Sequence, residues 1–161
     1  MSTVLRALEF LGLSIWLGSD IFLSLVVAPG AFLLLASRDQ AGAIVGYSLT
    51  RMHWMGVLCG VLVLFLRLAR ARSFAVLSAP AALCVWLMIL LTISSQVAVS
   101  PKMAALRVQM GSIQASAADS PLLAAFSRLH RVSVGLESAV LIAGLAALYF
   151  SVRESAASSS P

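Results

Sequence analysis

Charge is scarce in this sequence. Lys, Arg, Asp and Glu make up 11% of its 161 residues, and only six residues are acidic. Soluble domains carry about 25% charged residues, so a water-covered surface is excluded for most of the chain. Cysteine is nearly absent too. Cys59 and Cys84 lie inside apolar runs with no CxxC and no zinc-ligand spacing, which excludes a disulfide framework and a redox-thiol motif and leaves two small hydrophobes. No Gly-rich phosphate loop, HExxH or GxSxG occurs, so hydrolase, kinase and nucleotide signatures are missing and the chain reads as a non-enzyme.

What is abundant is apolar sequence. Hydrophobic residues make up 61% of the chain and the mean hydropathy is +1.02. Four long apolar segments are expected to span a bilayer as helices, over about residues 8–36, 44–67, 74–99 and 122–151, each reaching the roughly 20 residues that a hydrocarbon core requires. The expected fold is an all-α integral membrane four-helix bundle, a single domain over residues 1–152, followed by a disordered polar tail over 153–161. The N-terminal run continues far past the length of a signal-peptide core, and Glu9 closely follows Arg6, so it reads as a retained first span. Between the third and fourth spans, Met103, Leu106, Met110 and Ile113 recur at helical spacing, which predicts a short amphipathic helix lying at the interface. Gly42, Gly46, Gly56 and Gly60 in the second span form two GxxxG patterns suited to close helix packing.

The net charge of +5 sits in short arginine clusters beside apolar runs. Such clusters indicate membrane orientation and attraction to anionic lipid, and not nucleic-acid binding. Four spans place both termini on one side, with Arg6, Arg67, Arg70, Arg72 and Arg153. Arg38, Arg51, Lys102, Arg107, Arg128 and Arg131 fall on the other. The dense stretch RLARAR at Arg67–Arg72 favours cytoplasmic termini, in a bacterial inner membrane.

Five ionisable residues lie within or just inside the spans: Glu9, Asp20, His53, His130 and Glu137. Such residues usually face the bundle interior and pair with something. Glu9 and Asp20 share a helical face with Leu13 and Trp16, and His130 shares one with Ser133 and Glu137. His53 lies on the Gly56 and Gly60 face. Arg51 beside His53, and Arg128 and Arg131 beside His130, place both histidines near one headgroup boundary. Glu137 falls about 10 Å deeper. If the first span breaks or bends at Pro29, Asp20 falls at mid-membrane near the level of Glu137. The result is a ladder of titratable groups from His53 and His130, through Glu137 and Asp20, to Glu9. An ionised carboxylate at such depth is costly unless paired or protonated.

Three uses fit these residues: interhelical hydrogen-bonding glue, a proton or small-cation pathway, or a bound metal or haem. His53 and His130 are the candidate ligands for copper or haem, with Met52 and Met55 as soft neighbours. No cofactor is assumed.

The stretches WLGSDIF (Trp16 to Phe22), VAPGAF (Val27 to Phe32), RMHWMG (Arg51 to Gly56), SPKMAALR (Ser100 to Arg107) and FSRLH (Phe126 to His130) follow one another around the four spans. In that order the sequence resembles the transmembrane-protein-205-like family of small four-helix membrane proteins, also described as domain of unknown function 4149. The resemblance implies the four-helix fold and no settled activity. A looser likeness to copper-resistance membrane proteins, which also place histidines near one face of a small bundle, is an analogy.

The sequence therefore leads to a membrane protein that handles protons or small cations through a polar core. One alternative is an accessory subunit held against a membrane protein partner, or a second copy, by its glycine faces. A weaker one is a bis-histidine haem protein. Its surroundings are the lipid bilayer.

Overall fold

The computed structural model describes residues 2–157, which are helical almost throughout. Four stretches are long and apolar enough to cross a membrane: Thr3–Leu34, Arg38–Ala71, Pro80–Met110 and Pro121–Ala157. The chain is a multi-pass, all-α membrane protein. All four helices are longer than the expected spans, because their ends continue through half-polar sequence, past Gly42 in the second and Pro101 in the third.

The first span is helix α1 (Ser2–Phe22), a π turn at Leu23–Val27, and helix α2 (Ala28–Leu34). The expected break at Pro29 is absorbed rather than made. Proline cannot donate to the carbonyl one turn back, and its ring crowds that carbonyl. The turn just before it widens to the π spacing and the helix runs on. The third span repeats the device: helix α4 (Pro80–Ser94), a π turn at Ser95–Val99 and helix α5 (Ser100–Met110), with Pro101 in its first turn.

Helix α3 (Arg38–Ala71) starts where the Ser37 hydroxyl accepts the Asp39 amide at 3.2 Å and the Gln40 amide at 3.5 Å. It ends at Arg72, whose left-handed backbone (φ 51°) closes the last turn. The Ser73 hydroxyl then caps a short 3-10 turn at Phe74–Ser78 that leads into α4. Gly111 ends α5 at φ 68°, a conformation that costs glycine little. Helix α6 (Pro121–Ala157) completes the bundle.

Two expectations need correction here. The amphipathic segment is not a separate interfacial helix. It is α5, the continuation of the third span, because the Ser100-Pro101 step is taken up by the π turn. Its apolar positions Met103, Leu106 and Met110 are half-buried, and α5 packs on α6. The polar tail also starts later than 153: α6 continues to Ala157, with Glu154 anchored to Arg67. Residues 158–161 of that tail lie outside the described residues.

Each helix packs mainly on two others, giving the cyclic order α1, α3, α4, α6. The densest packing is within two hairpins, α1 with α3 and α4 with α6. These hairpins share a pattern. Along their first helices, features recur 72 residues on: Leu23–Val27 at Ser95–Val99, Pro29 at Pro101, Asp20 at Thr92 and buried Trp16 at Met88. Along the second helices the offset is 84 residues, pairing Gly60 with Gly144 and Val63 with Ala147. Two bonds, His53 to Glu137 and Arg67 to Ser151, join residues exactly one such offset apart. Equivalent residues of two related units touch each other only on the axis between them. The bundle is thus an approximate two-fold repeat of a helical hairpin, with α1 and α4 running the same way and the axis along the bundle.

The core between the hairpins is apolar and close-packed, built from Leu13, Trp16, Val63, Leu64, Val85, Met88, Ile89, Val140 and small residues of α4 and α6. Gly56 and Gly60 leave room for the Trp16 indole, and a side chain at either would collide with it. Gly42 and Gly46 lie against the Arg107 guanidinium. The glycine faces are therefore filled within the chain, which removes them as the docking faces of an accessory subunit.

Candidate functional site

Three of the four spans meet in one hydrogen-bonded group. His53 on α3 is 1% exposed, and both of its ring nitrogens are engaged. Nδ1 lies 2.8 Å from Gln96 Oε1 on the π turn after α4, and Nε2 lies 2.5 Å from Glu137 Oε1 on α6. Both partner atoms are acceptors, so the ring donates from both nitrogens and is drawn as an imidazolium. Turning the Gln96 amide over would present an N–H to Nδ1 and suit the neutral ring.

The first span supplies Asp20 to the same layer. It is 2% exposed and interacts electrostatically with both Glu137 and His53. Its single hydrogen bond among the described residues is a long one, accepted by Oδ1 from the Ser24 hydroxyl at 3.5 Å. Asp20 Oδ2, Glu137 Oε2, Thr92 Oγ1 and Ser95 Oγ are buried with no partner among the described residues. Leaving such groups unpaired costs about 1–3 kcal/mol each, and more where charged.

Helix register fixes how these groups lie. Leu17 and Met88 both reach the open face of Gly144, so they share a level. Asp20 is three residues beyond Leu17 and Thr92 four beyond Met88 on helices running the same way, which sets them level across the core. Ser95, Gln96, His53 and Glu137 lie about one turn (5 Å) nearer the end that carries Arg51, Lys102 and Arg131. From Glu137 to Arg131 is about 9 Å along α6, so the layer sits closer to that face than to the other.

Both π turns flank this layer, Leu23–Val27 beside Asp20 and Ser95–Val99 carrying Ser95 and Gln96. A π turn inserts one residue and so re-aims the side chains around it; such turns occur frequently at functional sites.

The expected ladder is not continuous. Glu9 belongs to a second polar layer at the opposite end, where it accepts a two-pronged bond from Arg70 at 2.8 and 3.3 Å. Arg67, 1% exposed, donates to Ser151 at 3.1 Å and pairs with Glu154. The other Glu154 oxygen accepts the Ala81 amide at 3.4 Å, closing the start of α4. This belt ties all four spans together. About 20 Å of packed apolar side chains, Leu13 and Trp16 among them, separate it from the His53 layer. Asp20 and Glu9 do share a helix face, but among the described residues no buried charged side chain lies between them.

His130 does not join His53. It is exposed on α6 and stacks on Phe126, ring centroids 6.5 Å apart. Seven residues of helix separate it from Glu137. Two-histidine ligation of haem or copper has no basis in this arrangement. Met52 is buried and Met55 is exposed, so they do not share a site. Among the described residues no group of three or more His, Cys, Asp or Glu is arranged to hold a metal ion.

Sequence reasoning missed Gln96, the second partner of His53. The signal was present as SSQ inside an otherwise apolar third span. It also missed Arg67 and Glu154, one read as an orientation signal and the other as tail. It missed Asp39 as well, and read Arg107 only as an orientation charge. They hold the far end, Asp39 accepting from the Ser112 hydroxyl at 2.6 Å and the Ile113 amide at 2.7 Å, and Arg107 donating to the Gly42 carbonyl at 3.1 Å.

No curated protein and no solved structure matches the chain. A family model described as "Domain of unknown function (DUF4149)" matches residues 11–112, a stretch that holds Asp20, His53 and Gln96 together with both π turns. The match covers most of the chain, and the protein is a member of the DUF4149 family.

Proposed function

We propose that this membrane protein handles protons, taking them up at the layer of Asp20, His53, Gln96 and Glu137 from the side of Arg51, Lys102 and Arg131. The observation that carries this reading is His53, buried and held between Gln96 and Glu137, beside a buried Asp20 whose second oxygen has no partner. Leaving two carboxylate oxygens of one layer buried and unpaired is costly for a role in holding helices together alone. His53 and Glu137 are in direct contact and Asp20 interacts with both electrostatically, so the three groups are coupled in how they hold protons. The layer offers a place to hold a proton away from lipid, and the apolar core beyond it stops leakage across the bundle.

Reconstituted into liposomes, the wild-type chain is expected to take up protons when the pH is stepped on one side. Asp20→Asn and Glu137→Gln are expected to keep the fold and lose that response. An unchanged response in both variants overturns the reading. The reading further places both termini on the cytoplasmic side, from the basic stretch Arg67–Arg72. A reporter fused after Pro161 that is active only when exported would contradict that orientation. Membership of the DUF4149 family adds nothing to the choice of substrate.

A further inference from the structure

One proton satisfies one lone pair, yet the layer leaves four buried oxygens without partners, on three helices. We infer that the same layer binds a monovalent, hard cation of the sodium type between Asp20 of α1, Thr92 and Ser95 of the third span, and Glu137 of α6, in exchange for the proton. The inference rests on the proton-handling reading of this site and adds its second substrate.

The first support is the set of donors. Asp20 Oδ2, Glu137 Oε2, Thr92 Oγ1 and Ser95 Oγ are all buried oxygens, and none has a hydrogen-bond partner among the described residues. Asp20, Thr92 and Ser95 are 2%, 1% and 0% exposed. Serine and threonine in helices readily bond the carbonyl four residues back, as Ser94 does to Leu90 at 2.7 Å. Thr92 and Ser95 leave their hydroxyl oxygens free on the face that also carries Gln96. Carboxylate and hydroxyl oxygens suit a hard cation and hold soft metals poorly.

The second support is position. Asp20 and Thr92 are equivalent residues of the two hairpins and lie level with each other across the core. His53 and Glu137 are equivalent as well and meet on the axis. Membrane transporters built from repeats place substrate and coupling-ion sites at the repeat interface, on discontinuous helices. Here the two helices that face each other across the site are the two interrupted by π turns.

Charge decides the valence. The titratable groups facing the layer are Asp20 from α1, His53 from α3 and Glu137 from α6, and the third span contributes only neutral groups. With His53 protonated and both carboxylates ionised, the His53–Glu137 pair is neutral and the layer carries one net negative charge at Asp20. A single positive charge, proton or alkali cation, balances it. A divalent ion would need further carboxylates and would face the imidazolium.

The test is a thermal-unfolding titration of the purified full-length chain in lipid nanodiscs, in sodium chloride against N-methylglucamine chloride at equal ionic strength and several pH values. Sodium is expected to raise the melting temperature of the wild type, since a ligand that binds only the folded state stabilises it. The rise is expected to need more sodium as the pH falls. Asp20→Asn is expected to abolish it. Thr92→Val and Ser95→Ala, which preserve size closely, are expected to weaken apparent sodium affinity by about tenfold, one oxygen ligand each, while keeping the pH response measured without sodium. A melting temperature that depends on pH but is the same in sodium and N-methylglucamine overturns the cation site and leaves the proton reading standing. Independence of both pH and sodium overturns both.

Discussion

At the scale of single residues, the chain keeps few charges and uses nearly every buried one in a defined contact. Arg67 shows how much rests on one of them: fully buried, it bonds Ser151 and Glu154, and Glu154 in turn caps α4. Removing Arg67 leaves Glu154, a third exposed, partly hydrated, but it empties a buried position and strands the Ser151 hydroxyl, at a cost of about 1–3 kcal/mol. Arg67→Ala is therefore expected to lower the unfolding temperature sharply in chemical or thermal denaturation in detergent. Adding Glu154→Gln should recover part of the loss. Additive losses in the double variant would show that the two side chains act independently. Glycine matters as much as charge. Gly60→Ala would press a methyl group into the Trp16 ring and Ile89, an overpacking expected to cost about 1–3 kcal/mol in the same measurement.

At the scale of elements, the notable feature is the pair of π turns. Each contains one residue more than an α-helical path requires, placed just before a proline. Deleting one residue inside a π turn should restore an α-helical path and leave both flanking faces in register. Deleting a residue within α1 rotates everything beyond it by about 100°. Deletion of Val26 is thus expected to be tolerated in folding, and deletion of Ile15 is not, when yield and unfolding temperature of the two variants are compared. Equal damage from both would count against this account of the turns. The N-cap of α3 gives a smaller effect: Ser37→Ala is expected to cost about 1 kcal/mol.

The elements also show what was legible beforehand. Four spans could be read because apolar runs of that length have few other uses, and the inward face of α1 could be read because Glu9, Leu13, Trp16 and Asp20 keep a helical period. The pairing of those faces was not legible. Nothing local to His53 says that its partners are Gln96 and Glu137 rather than His130, because that depends on how helices far apart in sequence slide along each other. Arg51 near His53 and the arginines around His130 suggested a common level. Register set by Trp16 against Gly56 and Gly60, together with Leu17 against Gly144, instead puts His53 with Glu137. Prolines led the reading toward helix ends, whereas Pro29 and Pro101 each sit inside a span whose preceding turn widens to hold them.

At the scale of the whole molecule, the bundle has a polar layer toward each end and a packed apolar middle, repeated about one axis. If the two hairpins are self-contained units, the short connection at Phe74–Ser78 is not needed to hold them together. Residues 1–73 and 74–161 expressed together as separate fragments are expected to copurify and to melt as one complex. Failure of the fragments to associate would contradict that view of the repeat. The arrangement also gives the chain sidedness, since the His53 layer lies near one face while the belt of Glu9, Arg70, Arg67 and Glu154 seals the other.

The central claim is that Asp20, His53, Gln96 and Glu137 form one coupled proton-holding unit. Nitrogen NMR of the His53 ring in lipid bilayers tests it most directly. The account predicts that His53 titrates as part of the group, with a midpoint that moves in Asp20→Asn and again in Glu137→Gln. A His53 ring that titrates identically in the wild type and both variants, as an isolated imidazole would, contradicts it.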